Sequence, residues 1–388
     1  MSPVPHILFA GGGTAGSLSP GLTVAEQIAC KMPQALISFA GPSRSQERRA
    51  IGGAGYQYLA IPSRPVPHGP WQTVRFVTDN VAGYCAARWL LREQHVCLVV
   101  GLGGYTSAAV VRAAVDRGTP IILLEGNAIP GRTTRWLSRS SALVCAAFEE
   151  VLPHLHVQTA VKVTGNPVRP SFAALYRRMQ QNGCCPQSAR SPEDGLAEKK
   201  KLVVLGGADG ARSLNESLPS ALQQLGTLRD DWQVIHQTGD GQLRETEERY
   251  RQVGVEALTV ACIDEIASLL LASDLVVCRA GGTTLAELAL AGVPALLVPS
   301  QLAVDDHQLA NAKVFSAAGA CRLIDESSQE GALHTALACE LKTLISGDNL
   351  RAEMSRNMQR LARPEASAEI ADAICDTLCG ARIELLAA

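Results

Sequence analysis

The chain has 388 residues, enough for two or three domains, and 47% of them are hydrophobic, ample for real cores. A net charge of −2 and a pI near 6.5 leave no general basic footprint, which argues against nucleic acid as a partner. The twelve cysteines are scattered, with no C-x-x-C pair and no Cys/His grouping, and read as buried free thiols in a reducing compartment. The first residues lack the basic and apolar regions of a signal peptide, and no apolar run of about 18 residues escapes Gly, Pro or charge. The expectation is a cytoplasmic protein, integral to no membrane.

Short β-rich apolar runs alternate with longer helical patterns, which predicts an α/β protein built from two Rossmann-like parallel-sheet domains. The first expected strand, 6–10, runs into "AGGGTAGSLSP", where Gly11, Gly13 and Gly16 spell G-x-G-x-x-G before a helical pattern. A dinucleotide site needs an acid at the end of the second strand, about 20 residues on, for the ribose. The second strand, 35–40, is followed by Ser43 and Arg44 instead, which disfavours NAD and leaves NADP open. Further strands are expected near 56–61, 97–101, 120–125, 142–145 and 160–164. Pro167 and Pro170 in "TGNPVRPSF" then break the chain, and 180–201 reads as a polar surface excursion. The second half has strands near 202–206, 232–237, 258–263, 275–279, 295–299 and 321–325. The expected domains are 1–168 and 169–363, with a carboxy-terminal helix, about 364–388, packing back on the first.

Four strands end in glycine-rich turns: "LFAGGGTAG" and "LVVGLGGYTS" in the first half, "LVVLGGADGAR" and "LVVCRAGGTTLAE" in the second. Glycine between a strand and a helix N-terminus exposes backbone N–H groups and the positive end of the helix dipole. Tight strand-to-helix packing explains any one such turn. Two in each half suggest two sheets facing a shared cleft, because ligands bind outside the carboxyl ends of such strands.

The ordered set "GGGTAG", "GLGGYTS", "EGNAIPG", "GNPVR", "GGADGAR", "RAGGTTLAELALAGVPALLVP" and "DDHQLANA", over residues 6–320, resembles the MurG family. That resemblance implies a GT-B fold and a peripheral membrane glycosyltransferase of peptidoglycan synthesis, working at the cytoplasmic face of the inner membrane. It implies transfer of N-acetylglucosamine from UDP-GlcNAc to undecaprenyl-pyrophosphoryl-MurNAc-pentapeptide, lipid I, with inversion. The donor would lie on the carboxy-terminal domain, the polyprenyl-linked acceptor on the amino-terminal one, and a cell-wall synthesis complex is a further implied partner. Rival readings are another UDP-sugar enzyme of the same fold (a glycolipid synthase or a UDP-GlcNAc 2-epimerase), an NADP oxidoreductase, and an inactive paralogue.

Carried residue by residue, the resemblance gives Glu287 the ribose hydroxyls, and a carboxylate accepts well from such a pair. The alternative is a helix first-turn acid favoured by the dipole. Ile263, expected to end a strand, would offer its backbone to uracil, or else be a core residue. His307 and Gln308 match the positions that read GlcNAc, with a helix cap at Asp305 or Asp306 as the plain account of the adjacent acids. Arg169 would bring a cation to the diphosphate, or else pair with an acid. Thr14, Ala15, Gly16 and Asn127 match acceptor-side positions, and Ala208 a phosphate-side one. With no Asp-x-Asp pair, no metal or other cofactor is expected, and the leaving charge would fall on the amides of Gly206–Ala211, the Gly281–Thr284 turn and Arg169.

The chain departs from the family at three places. Ser17 stands where the family has His, "LEGN" (Leu124 to Asn127, with Gly126) replaces His-Glu-Gln-Asn, and Ala208 with Asp209 replaces Ser-Gln. A serine cannot do the work of an imidazole as a base, so Glu125, ending a strand in "ILLEGN", becomes the candidate base. Its alternative is a carboxylate that bonds the backbone of the next loop.

Two segments suit an anionic bilayer surface. Trp71, Phe76, Tyr84 and Trp89 lie among Arg75, Arg88 and Arg92, and Arg132, Arg135, Trp136 and Arg139 are spaced to share one helical face. An ordinary solvated arginine face with a packed Trp is the alternative.

Overall fold

The computed structural model describes residues 4–12, 15–65, 70–181, 199–207, 210–301, 306–328 and 332–387. The chain forms two compact units, residues 1–169 with 365–388, and residues 170–364.

The first unit is a parallel sheet of seven strands: β1 (His6–Ala10), β2 (Leu36–Gly41), β3 (Gln57–Ala60), β4 (Val96–Gly101), β5 (Ile121–Glu125), β6 (Leu143–Ala146) and β7 (Val161–Val163). The connections are α1 (Ala15–Lys31), α2 (Ser45–Gly53), α3 (Pro70–Glu93), α4 (Gly104–Arg117) and α5 (Arg132–Leu137). Strand side chains alternate between faces, and here both faces are covered, so the strands read as continuous apolar runs. Ile7, Phe9, Phe39, Leu98, Val100 and Ile122 pack with α1 on one face. Leu8, Ala10, Val99, Ile121 and Leu123 pack with α3 and α4 on the other.

The second unit repeats the plan with β8 (Lys200–Leu205), β9 (Trp232–Gln237), β10 (Leu258–Val260), β11 (Leu275–Cys278), β12 (Ala295–Leu297) and β13 (Cys321–Leu323). Its helices are α6 (Pro170–Gln181), α7 (Arg212–Gln223), α8 (Leu243–Gln252), α9 (Ile266–Leu271), α10 (Gly282–Ala291), α11 (His307–Ala317), α12 (Leu333–Ser346) and α13 (Asp348–Arg360). All thirteen expected strands form. Several are shorter than expected, β10 most: it stops at Val260, whose carbonyl takes a last bond from the Thr238 N–H as the neighbouring chain leaves the sheet. Residues 182–198, most of the expected polar excursion, lie outside the described residues, and β8 takes up its end at Lys200.

The last helix, α14 (Ala366–Ala387), belongs to the first unit. Ile370, Ala371, Ile374 and Leu378 join the α1 face of its core, and Asp372 and Glu369 pair with Lys31 and Lys162. The ten cysteines among the described residues are free thiols. Burial was expected of them, but only Cys145, Cys278 and Cys321 are buried, and six are exposed. No helix among the described residues is long and apolar enough to cross a membrane.

The strand orders, β3-β2-β1-β4-β5-β6-β7 and β10-β9-β8-β11-β12-β13, reverse once in each sheet. The reversals fall between β1 and β4 and between β8 and β11. Ligands of open α/β sheets bind outside the carboxyl ends of strands at such switch points. The four glycine-rich turns follow these four strands.

Candidate active site

In the first unit the turns after β1 and β4 meet backbone to backbone. Gly104 has φ +80°, and a Cβ there would stand 2.7 Å from the Gly12 carbonyl oxygen. Only glycine meets both conditions. Helix α4 starts at this contact with no side-chain cap, so its first N–H groups have no capping oxygen. Ala15, Gly16 and Ser17 open α1, their side chains outside the description, and Thr14 lies outside the described residues.

Behind the loop stands a carboxylate that sequence reasoning missed. Glu47, in the first turn of α2, is 7% exposed and accepts from the Tyr58 hydroxyl at 3.1 Å. A Cβ on Gly12 would be 2.6 Å from Glu47 Oε2. Burial, then the charge of Glu47, pushes the Tyr58 phenol well above its ordinary range. An acid three residues after Arg44 at a helix start was the available signal.

Glu125 and Asn127 are brought together. Glu125 Oε1 accepts from the backbone N–H and the Nδ2 of Asn127, both at 3.2 Å, and Oε2 accepts from the Gly131 N–H at 3.0 Å. The side chain is 7% exposed, and burial raises its pKa, while bonds from Thr134, Gly131 and Asn127 act in the opposite direction. Leu124 is buried, and Gly126 lies against the Asn166 side chain.

In the second unit the turn after β8 rests on a buried polar network. Asn215 Nδ2 donates to the Thr238 carbonyl at 2.9 Å and to Gln242 Oε1 at 3.0 Å, which leaves Asn215 Oδ1 as an acceptor. His236 Nε2 therefore donates to Asn215 Oδ1 (3.0 Å), and Nδ1 accepts from the Tyr250 hydroxyl (2.9 Å). This is a neutral imidazole with both nitrogens satisfied, and burial pushes its pKa down to about 3. The network holds residues 238–242 against the β8 turn so closely that Gly210, φ +78°, has no room for a Cβ beside Gln242. Ala208 and Asp209 lie outside the described residues.

The turn after β11 carries Arg279, which bonds Ser213 Oγ at 2.7 Å, the Val298 carbonyl at 2.8 Å, and Glu326. Glu287 is 1% exposed and sits in the second turn of α10, which begins at Gly282. This corrects the first-turn reading: six residues into the helix, Glu287 has passed the end where the dipole acts. Ile263 is half-buried in the loop beyond β10, neither a strand end nor a core residue. His307 opens α11, and Gln308 Oε1 accepts from the Ser300 N–H at 3.0 Å. Asp305 lies outside the described residues, and Asp306 does not cap α11. Its left-handed backbone, φ 52°, lies outside the extended region a capping side chain needs. Asn311 Nδ2, also missed, donates to the Ala280 carbonyl at 3.1 Å and ties α11 to the β11 turn. Arg169 is half-buried and is the last residue of the first unit before α6.

Among the described residues no three His, Cys, Asp or Glu side chains converge as a metal site. On the surface, α3 exposes Val74, Val77, Val81 and Trp89, and Trp136 is 59% exposed. Tyr84 bonds Asp116 at 2.7 Å and so belongs to the α3–α4 packing. The Arg132–Arg139 face is shorter than expected: α5 ends at Leu137, and Arg139 falls in a 3₁₀ turn.

Residues 7–145 match the glycosyltransferase family 28 N-terminal domain and residues 201–370 its C-terminal domain. The transferase of Myxococcus xanthus named UDP-N-acetylglucosamine–N-acetylmuramyl-(pentapeptide) pyrophosphoryl-undecaprenol N-acetylglucosamine transferase is 34% identical over 96% of this chain and 93% of its own. The Nitratidesulfovibrio vulgaris protein of the same name is 33% identical over 97% and 98%. The solved structure of Acinetobacter baumannii MurG superposes with a TM-score of 0.73 at 26% identity, over 96% of this chain and 99% of its own. The chain belongs to the MurG family. A UDP-GlcNAc 2-epimerase from Neisseria meningitidis, at 12% identity and a TM-score of 0.63 over 96% and 99% of the two chains, shares the fold alone.

Within this MurG-family chain the buried His236 makes stability depend on pH. Below about pH 6.5 the unfolded imidazole takes a proton, but the folded one does so only near pH 3. Acid therefore favours the unfolded state, by up to about 1.4 kcal/mol per pH unit from this group. Urea unfolding of the wild type and of His236→Gln at pH 7.5 and 5.0 should show a smaller pH loss in the variant. Equal losses would mean that His236 is not buried neutral.

Proposed function

We propose that this chain is an inverting glycosyltransferase that moves GlcNAc from UDP-GlcNAc to the C4 hydroxyl of MurNAc in lipid I, forming lipid II. The observation that carries the reading is identity of about a third along nearly the whole chain to enzymes named for that transfer. The glycine-turn pairs at both switch points supply a physical basis. UDP-GlcNAc is assigned to the second unit, with the Ile263 backbone on uracil and Glu287 on the ribose. His307 and Gln308 are assigned to the sugar. Gln308 would act through Nε2, since its Oε1 already accepts from Ser300. The diphosphate would meet the Ala208 region, the start of α10 and Arg169, whose positive ends stabilise the charge that develops on UDP as it leaves. UDP-[14C]GlcNAc offered with a short-chain lipid I should yield labelled lipid, and no transfer would sink the reading. Glu287→Ala should raise the donor KM strongly with acceptor KM intact, and an unchanged UDP affinity would remove Glu287 from the ribose site.

The acceptor is assigned to the first unit, with the β1 turn (Thr14, Ala15, Gly16) near its diphosphate and Asn127 near its sugar. The attacking C4 hydroxyl must lose a proton. Ser17 is too weak a base, and Glu125 is the carboxylate whose proton affinity burial has raised. Glu125→Gln should cut kcat at least about 100-fold with donor KM little changed, and Ser17→Ala should cost under about tenfold. Mild loss in Glu125→Gln together with a sharp gain in Ser17→His would assign Glu125 to holding the Asn127 loop instead.

The lipid substrate calls for peripheral membrane binding at the cytoplasmic face. Val74, Val77, Val81 and Trp89 share the exposed side of α3, with Arg88 and Arg92 at its carboxyl end, and Trp136 is exposed beside Arg132. Apolar side chains rimmed by arginines suit an anionic headgroup layer. The protein should sediment with anionic vesicles and release as salt rises, since exposed charges are screened beyond about 8 Å at physiological ionic strength. Val77→Asp with Trp89→Ala should lower sedimentation without lowering Tm, and equal sedimentation would leave α3 as ordinary surface.

A further inference from the structure

We infer that Arg279 is a positioning residue for the nucleotide diphosphate, a brace across the second switch point that sets the starts of α7 and α10 relative to one another. The inference rests on the assignment of UDP-GlcNAc to the second unit.

The strands β8 and β11 are hydrogen-bonded neighbours, but their ladder ends at the Leu205–Cys278 register. Beyond it the chains separate toward helices that a right-handed crossover sends to opposite faces. The α7 side chains Leu214, Leu218 and Leu222 pack in the core cluster on one face, which includes none of the α10 side chains. Among the described residues no sheet bond fixes one turn to the other past the strand ends. Arg279 supplies that link. It directly follows β11 and precedes the Gly281 that starts α10, while its Nη2 donates to Ser213 Oγ in the first turn of α7 at 2.7 Å. Nη1 reaches the Val298 carbonyl, one residue past β12, at 2.8 Å, and Glu326 in the turn after β13. One side chain thus joins the carboxyl-end turns of four strands.

A direct phosphate contact is the competing role, and the charge state argues against it. Glu326 pairs with the guanidinium, and the two side chains are 18% and 14% exposed. The cation is largely neutralised and partly enclosed, and both terminal nitrogens already donate, Nη1 to Val298 and Glu326 and Nη2 to Ser213. The start of a helix acts on an anion only within its first turn, so a small change in the separation of the two starts weakens a diphosphate held by both. The uridine end of the ligand, met by Ile263 and Glu287, does not depend on that separation.

Calorimetric titration of the full chain with UDP and with uridine tests this. Arg279→Met and the milder Ser213→Ala should lower UDP affinity, the former by about tenfold or more, and leave uridine affinity within about twofold. Glu326→Gln should leave UDP affinity nearly unchanged, because the brace persists. Parallel loss of UDP and uridine affinity in both variants would overturn the inference in favour of a general scaffold role. Tighter UDP binding by Glu326→Gln would overturn it in favour of a phosphate-binding arginine held back by Glu326. Wild-type protein that binds no UDP would instead sink the donor assignment.

Discussion

In each unit, two neighbouring parallel strands send their chains to opposite faces of the sheet, and the gap this opens is where the glycine-rich turns gather. The constraint is steric before it is chemical. Two strands lie about 4.8 Å apart, so the turns that leave them must pass one another with almost no side chain between. Gly104 against the Gly12 carbonyl meets that demand in the first unit; in the second, Gly210 meets a similar one where the β8 turn passes residues 238–242, the turn after β9. Once the backbones are that close, helix N–H groups point out of the sheet edge side by side. A surface able to hold an anion is a consequence of the packing.

The carboxylates around these edges are held by different means. Glu47 is backed against Gly12 and shares a bond with Tyr58, and Glu125 takes three bonds from Asn127 and Gly131. A buried carboxylate without such donors would cost several kcal/mol. Those bonds orient Glu125 and at the same time lower its proton affinity, so burial and hydrogen bonding oppose one another at the same atom. Behind the β8 turn the polar filling is neutral: His236, Asn215, Tyr250 and Gln242 satisfy one another without a net charge.

The thirteen strands were legible because parallel strands covered on both faces are apolar without interruption, as "LVV" shows before three of the four glycine turns. Glu125 and Asn127 were legible as a pair for a local reason, since two residues apart at a strand end their side chains can meet. Ser213 and Arg279, 66 residues apart, could not be paired, because their contact depends on the strand order, which periodicity does not reveal. Arg279 was visible as a charge between a buried strand and two glycines, but its partners were not.

The departures from the family fall unevenly, and the structure gives this a meaning. Ser17 and the Leu124 and Gly126 substitutions lie in the first unit, where bulk and a titratable ring are exchanged for small or apolar residues. Gly126 lies within contact distance of the Asn166 amide, so a longer side chain there would have to displace it. Leu124 is part of the α1-side core, so an imidazole at that position would be taken out of water. The Leu124 and Gly126 positions are thus matched to their local packing. In the second unit the described framework of the candidate donor site, from Ser213 and Arg279 to Glu287 and Asn311, is closely bonded. In the Leu124 to Asn127 stretch, Glu125 is the buried carboxylate that remains, held by the Asn127 and Gly131 N–H groups.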